Sequence, residues 1–184
     1  MANKCFKICL LVSIILLIIF AIVIILVFTL FEAKNPVVHL YPIDLDKVDF
    51  QPGVTIVPLS MIISVMNPNY GIYVTENTTS FVSYQKTVVA MVPVGPQTLP
   101  GHATTNVSVT ANLMSHKLMT NENFLADVGD GTFNMTAKAT FHGKVHVMKI
   151  VKIKAMVNMY CDILFKMEPI LDAVSSCVTH MRVL

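Results

Sequence analysis

Thr132-Phe133-Asn134-Met135-Thr136-Ala137-Lys138-Ala139-Thr140-Phe141 is the stretch that decides the fold. Phe133, Met135, Ala137, Ala139 and Phe141 alternate with polar or charged residues, a period of two that gathers apolar side chains on one face of an extended strand. An amphipathic helix would space them three and four apart. The alternation recurs on both sides of this stretch. Leu59, Met61, Ile63 and Val65 interleave with Ser60, Ile62, Ser64 and Met66, and residues 105–113 and 151–159 repeat the pattern. Shorter apolar runs at 72–74, 81–84 and 88–92 complete a set of about seven strands. Asn67-Pro68-Asn69, Val94-Gly95-Pro96, Leu99-Pro100-Gly101 and Gly129-Asp130-Gly131 supply turn chemistry between them. Residues 121–128 break the period: Phe124, Leu125 and Val128 fall at helical spacing, with Thr120 as N-cap and Gly129 as stop. The pattern predicts a mainly β chain, an antiparallel immunoglobulin-like β-sandwich with one short helix, over residues 53–184.

The N-terminal part is of another kind. Residues 8–31 contain no charge, Pro or Gly, and only Cys9, Ser13 and Thr29 are mildly polar. As a helix the run would be about 36 Å long, enough to cross a ~30 Å hydrocarbon core with some tilt. A cleavable signal is the competing explanation, but its apolar region would be about 7–15 residues, and Phe31 and Ala33 do not make a small-residue cleavage site. Lys4 and Lys7 in the tail 1–7, set against Glu32 and Lys34 beyond the run, place the N-terminus in the cytoplasm. Residues 32–184 would then lie outside the cell or in a lumen. Removing Lys4 and Lys7 from the 13 Lys and Arg leaves a balance with the 11 Asp and Glu. Neither this charge nor the compartment favours nucleic acid. Residues 32–52, with Pro36, Pro42 and Pro52 and several charges, read as an extended stalk in which 48–50 can open a strand.

The expected compartment gives meaning to several residues. Cys161 and Cys177 are the only cysteines in the outer part. A disulfide between them would close a loop of about 16 residues, worth ~3 kcal/mol in chain entropy; two free buried thiols are the alternative. Cys5 and Cys9, at the cytoplasmic face, are candidate palmitate acceptors. Three N-x-[ST] sequons start at Asn77, Asn106 and Asn134. The first falls in a connection and the other two on polar strand faces, open to a glycan. Lys144, Lys149, Lys152 and Lys154 form one basic cluster without an acid nearby. It can contact lipid headgroups, or simply be a solvated face that discourages edge pairing. His142 and His146 share a face of a strand but stand about 13 Å apart, too far to share a metal. The 12 Met lie outside the apolar run, mostly in core phase, and imply a soft interior. No catalytic or phosphate-binding motif is present, so neither an enzyme nor a cofactor is expected.

Asn67-Pro68-Asn69-Tyr70-Gly71-Ile72-Tyr73, followed by Phe81-Val82-Ser83-Tyr84, resembles the plant group-2 late embryogenesis abundant family, which includes the harpin-induced-like, hydroxyproline-rich glycoprotein group. Asp127-Val128-Gly129-Asp130-Gly131-Thr132, Phe141-His142-Gly143-Lys144-Val145, Tyr160-Cys161-Asp162 and Ser176-Cys177 extend the likeness across roughly residues 35–180. Gln85-Lys86 departs from it, since a small residue or Gly often follows there. The resemblance implies a fibronectin-like sandwich at a plant plasma membrane or endomembrane, with a role in defence or abiotic-stress response and no catalytic residue. The chain is thus expected to act by interaction. Its partners would be membrane lipids through the anchor, and a protein or a second copy of itself. The alternative is a lipid-binding module held near the membrane surface.

Overall fold

The computed structural model describes residues 2–30, 32–41, 55–147, 151–166 and 172–184, with side chains left aside at 2–5, 26–30 and 172. It divides into two compact units, Met1–Glu32 and Ala33–Leu184.

The first unit is helix α1, Ala2–Leu30. Its segment Phe6–Ile25 has a mean hydropathy of 3.7. At ~1.5 Å per residue that segment alone measures about 30 Å, so the helix is long and apolar enough to cross a membrane. The expected span 8–31 falls on it, except that Phe31 lies outside the described residues.

The second unit is mostly antiparallel sheet. Its strands are β1 (Val37–Leu40), β2 (Val57–Asn67), β3 (Ile72–Thr75), β4 (Thr78–Tyr84), β5 (Thr87–Val94), β6 (Thr98–Leu99), β7 (Ala103–Leu113), β8 (Thr132–Val147), β9 (Val151–Lys166) and β10 (Asp172–Val183). Two short helices, α2 (Ser115–Met119) and α3 (Phe124–Gly129), join β7 to β8. Around the sheet the order is β10-β9-β8-β4-β5-β7-β2-β1. β1 then returns beside β10, where Thr179 Oγ1 donates to Pro36 O and Met181 N donates to Asn35 Oδ1. The sheet therefore curls on itself, and the expected β-sandwich takes a barrel-like form. β3 and β4 share one edge of β8 in succession: Ile72–Thr75 lie opposite 146–143, and Phe81 lies opposite Lys138. Gly143 makes the first approach possible, because a Cβ there would stand 2.2 Å from Val74 O.

The period-two residues line the inside. Phe133, Met135, Ala137 and Ala139 of β8 are buried, as are Val107, Val109, Ala111 and Leu113 of β7. At one end Tyr84, Phe124, Phe133 and Phe165 form an aromatic cluster, with Phe133 and Phe165 stacked at 4.7 Å. Leu118 and Phe124, buried, fasten α2 and α3 over that end.

Four expectations change. The stalk 32–52 is not free chain at its start: Lys34 N donates to Asn69 Oδ1, Asn69 Nδ2 donates to Lys34 O, and β1 pairs with β2. Burial of Val38 explains this, and Pro36 sits just before the strand, where a missing N–H costs little. Residues 42–52, including the strand considered at 48–50, lie outside the described residues. The helix expected at 121–128 forms as α3, Phe124–Gly129, and a second helix, α2, precedes it at Ser115–Met119. Thr120 caps the end of α2 rather than the start of α3, and the residue that turns the chain out of α3 is Gly131, at φ +79°, not Gly129. β10 was not foreseen, because its inward residues Ser175, Cys177 and Thr179 are less apolar than its exposed Val174 and Val178. The soft Met core holds in part: Met135 and Met159 are buried, but Met66, Met91 and Met119 are exposed.

Candidate functional site

Inside the curled sheet lies a cavity of about 90 Å3. Its wall is drawn from all ten strands, and is apolar almost throughout, with Met61, Val107, Phe141 and Met159 among its residues. The strands that build it alternate Val, Ala and Met inward. Ala137 and Val107, both buried and small beside Phe or Met, are among the side chains that leave the space unfilled. Four polar residues reach the wall, and each is bonded to backbone. Thr75 Oγ1 accepts from Gln97 N, Ser80 Oγ donates to Lys138 O, Thr179 Oγ1 donates to Pro36 O, and Gln97 Nε2 donates to Gly95 O. Among the described residues no buried side-chain nitrogen or oxygen is left without a partner. The cavity thus offers a guest dispersion contacts and no unpaired polar group. At ~24 cal/mol per Å3, leaving such a space empty costs about 2 kcal/mol.

Two buried phenols flank this interior. Tyr73 donates to Phe141 O at 2.8 Å, and burial, with the Glu76 carboxylate adding, pushes its pKa up to about 12. Tyr84 donates to Asp127 Oδ2 and accepts from Gln85 Nε2. Burial, then the hydrogen bond to Asp127 and its charge, push Tyr84 up to about 12. Both are structural bonds: one ties β3 to β8, the other ties α3 to β4.

The residues singled out from sequence are scattered over the surface rather than gathered at the cavity, Cys161 excepted. Cys161 and Cys177 are joined by a disulfide across the β9–β10 ladder, and the buried Cys161 also touches the cavity wall. Asn77, Asn106 and Asn134 are exposed, Asn77 in the connection between β3 and β4. Lys144 stands directly opposite Lys154, and His146 opposite Lys152, on the outer face of β8 and β9; Lys149 lies outside the described residues. His142 and His146 lie in the extended part of β8. Cys9 is free and exposed on α1, while the side chain of Cys5 lies outside the described residues. Sequence could not announce the cavity. Each wall residue fits an ordinary core, and a void depends on how the sheet closes.

No protein-family model matches the chain, and no curated protein matches it. Among solved structures, a protein from Archaeoglobus fulgidus is similar at 8% identity and a TM-score of 0.38, covering 82% of this chain and 98% of that one. The solution structure of a chain described as a late embryogenesis abundant (LEA) protein is similar at 13% identity and a TM-score of 0.35, covering 79% and 71%. At such scores neither likeness carries weight for function.

Proposed function

We propose that this chain is a non-enzymatic, membrane-tethered binding domain whose interior takes one apolar chain, such as the end of a lipid acyl group. The observation that carries it is the apolar cavity with every wall hydroxyl already bonded. A polar ligand would lose its hydration there and gain nothing in return. The volume limits the guest: an engineered apolar cavity of ~150 Å3 binds benzene, so about 90 Å3 suits a few methylenes unless the strands part.

Helix α1 serves as an uncleaved anchor with its N-terminus in the cytoplasm, which puts the β domain in an extracytoplasmic space. Lys4 and Lys7 support that direction, and the Cys161–Cys177 bridge fits an oxidising compartment. In that compartment Asn77, Asn106 and Asn134 are open to glycosylation. The facing Lys144/Lys154 pair puts like charges side by side, an unfavourable arrangement in water that lipid headgroups would relieve. A plant defence or stress-response setting, at the plasma membrane or an endomembrane, rests on the motif resemblance alone.

The test is mass spectrometry of lipid extracted from the full chain, purified in mild detergent, beside an Ala137→Leu variant that fills the cavity. A near-stoichiometric apolar ligand in the native chain, lost in a variant that melts no earlier, is the expected result. An empty native chain, with no rise in melting temperature under xenon, would overturn the proposal and leave docking of a protein partner as the better account.

A further inference from the structure

The outer face of the domain carries a second feature, remote from the interior cavity. Reading the registers across five strands, Met91, Phe81, Lys138, Tyr160 and Val178 stand directly opposite one another from β5 to β10. Four of them are large, apolar and exposed: Met91 42%, Phe81 45%, Tyr160 40% and Val178 53%. Lys138 Nζ lies 5.3 Å from the centre of the Tyr160 ring, so even the charged member of the row covers its neighbour's face. Scattered apolar side chains on a surface need no explanation, but a continuous belt does.

Beside the belt runs a parallel polar row. Thr140, Asn158 and His180 are in register, with Thr140 Oγ1 donating to Asn158 Oδ1 at 3.0 Å. Thr78 Oγ1 donates to Thr140 O, joining the start of β4 to that row. The polar row and the belt from Phe81 to Val178, Met91 excepted, line one open groove of about 690 Å3. At its end the wall is formed by Thr78 and Thr79, the second and third residues of the sequon that starts at exposed Asn77.

We propose that the groove is the resting place of the glycan carried by Asn77. The attachment joins the Asn77 amide nitrogen to the anomeric carbon of a sugar, the bond from that carbon to the carrier's phosphate oxygen breaks, and the polyprenyl diphosphate and one amide proton leave. Along an extended strand Asn77 is about 13 Å from Phe81, so the sugars nearest the protein cross the polar row and reach the belt. Their chemistry fits that order. Ring hydroxyls meet Thr140, Asn158 and His180, and the apolar faces of the rings stack on Phe81 as any polarised C–H does on an aromatic ring. A lipid surface fits less well, because the polar row would be desolvated without return. Asn134 is on the same strand as Lys138, but none of residues 132–136 lines the groove. Asn106 sits in β7 opposite Ser64, between Thr104 and Ser108, and its row runs on to His39 with no Phe or Tyr in it. It is the internal reference.

The inference rests on the glycoprotein part of the proposal above, and the experiment separates the two. The full chain is expressed in glycosylating plant or animal cells and purified in mild detergent. Peptide mass spectrometry gives occupancy, and release by an N-glycan amidase is followed site by site on the native protein. Asn77 is expected to be occupied and released about tenfold more slowly than Asn106, the rate equivalent of ~1.4 kcal/mol of packing. A Phe81→Ser/Val178→Ser variant should bring the two rates together. Asn77→Gln, which keeps every belt side chain, should raise binding of a hydrophobic dye and covers the case in which the double variant fails to fold. Equal rates at the two sites in the native chain, an empty Asn77 beside an occupied Asn106, or a belt buried between two copies of the chain would each overturn the inference alone. Three empty sequons would overturn the glycoprotein reading with it.

Discussion

Asn67 shows how much one polar residue can hold. Its side chain is buried, its Nδ2 donates to Gly71 O and Leu99 O, and its Oδ1 accepts from Asn69 N and Nδ2. Asn69 in turn brackets Lys34 through both backbone groups. The Asn-Pro-Asn turn is thus a fastening between the β2–β3 corner, the strand β6 and the start of the folded unit. Asn67→Ala leaves two buried carbonyls unpaired, at ~1–3 kcal/mol each if water does not enter. A loss of about 3 kcal/mol in urea unfolding is expected, against under about 1 kcal/mol for the more exposed Asn69→Ala. The two phenols give a pH dependence of definite sign. Tyr73 and Tyr84 are raised from 10.0 to about 12 in the folded chain, so the folded state holds their protons where the unfolded state has released them. Their contribution is fully present below pH 10 and is lost as pH rises toward 12. Melting temperatures between pH 8 and 12 should fall across that window, and Tyr84→Phe should flatten part of the fall.

At the scale of elements, the β4–β5 hairpin departs most from sequence expectation. Gln85 and Lys86 fill a two-residue turn at φ 44° and 70°, where Asn-Gly is the usual choice. Gln85 compensates through its side chain, donating to Tyr84 Oη and accepting from Asn123 Nδ2, which ties β4 to the helical cap. Lys86, exposed, has no such bond among those described. Lys86→Gly is therefore expected to stabilise the chain by about 0.5–1 kcal/mol, the left-handed penalty less the entropy of glycine, measurable by chemical denaturation. Gln85→Gly should gain less or nothing, because the two bonds go with the side chain.

For the whole domain, the weak joint is where β1 meets β10. There the sheet closes through Thr179, Met181 and the backbone of Pro36 rather than through a regular ladder. β10 is held on its other side by its pairing with β9 and by the Cys161–Cys177 bridge. Cys177→Ser is expected to cost about 3 kcal/mol and to speed hydrogen exchange in β10 before it does so in β7 or β8. Uniform acceleration across the sheet would show that β10 does not open by itself. Because β1 and β10 both line the interior cavity, opening of this joint would expose it.

The sequence by itself determined the class of structure. Strict alternation in 132–141 and 105–113 leaves no helix able to bury those apolar faces, and a charge-free run at 8–31 needs no fold to become an apolar helix. It also left Cys161 and Cys177 as the only cysteines beyond the apolar run. What only the tertiary structure decided was everything that depends on closure. β10 turns its poorer face inward because β9 and the disulfide hold it there, against its own pattern. β1 becomes a strand because Asn69 and β2 offer bonds that a stalk lacks. The cavity exists because curled strands with Ala137 and Val107 facing inward leave space that no residue's identity announces. Local pattern sets which face of a strand is apolar; the curvature of the closed sheet sets whether those faces fill the space between them.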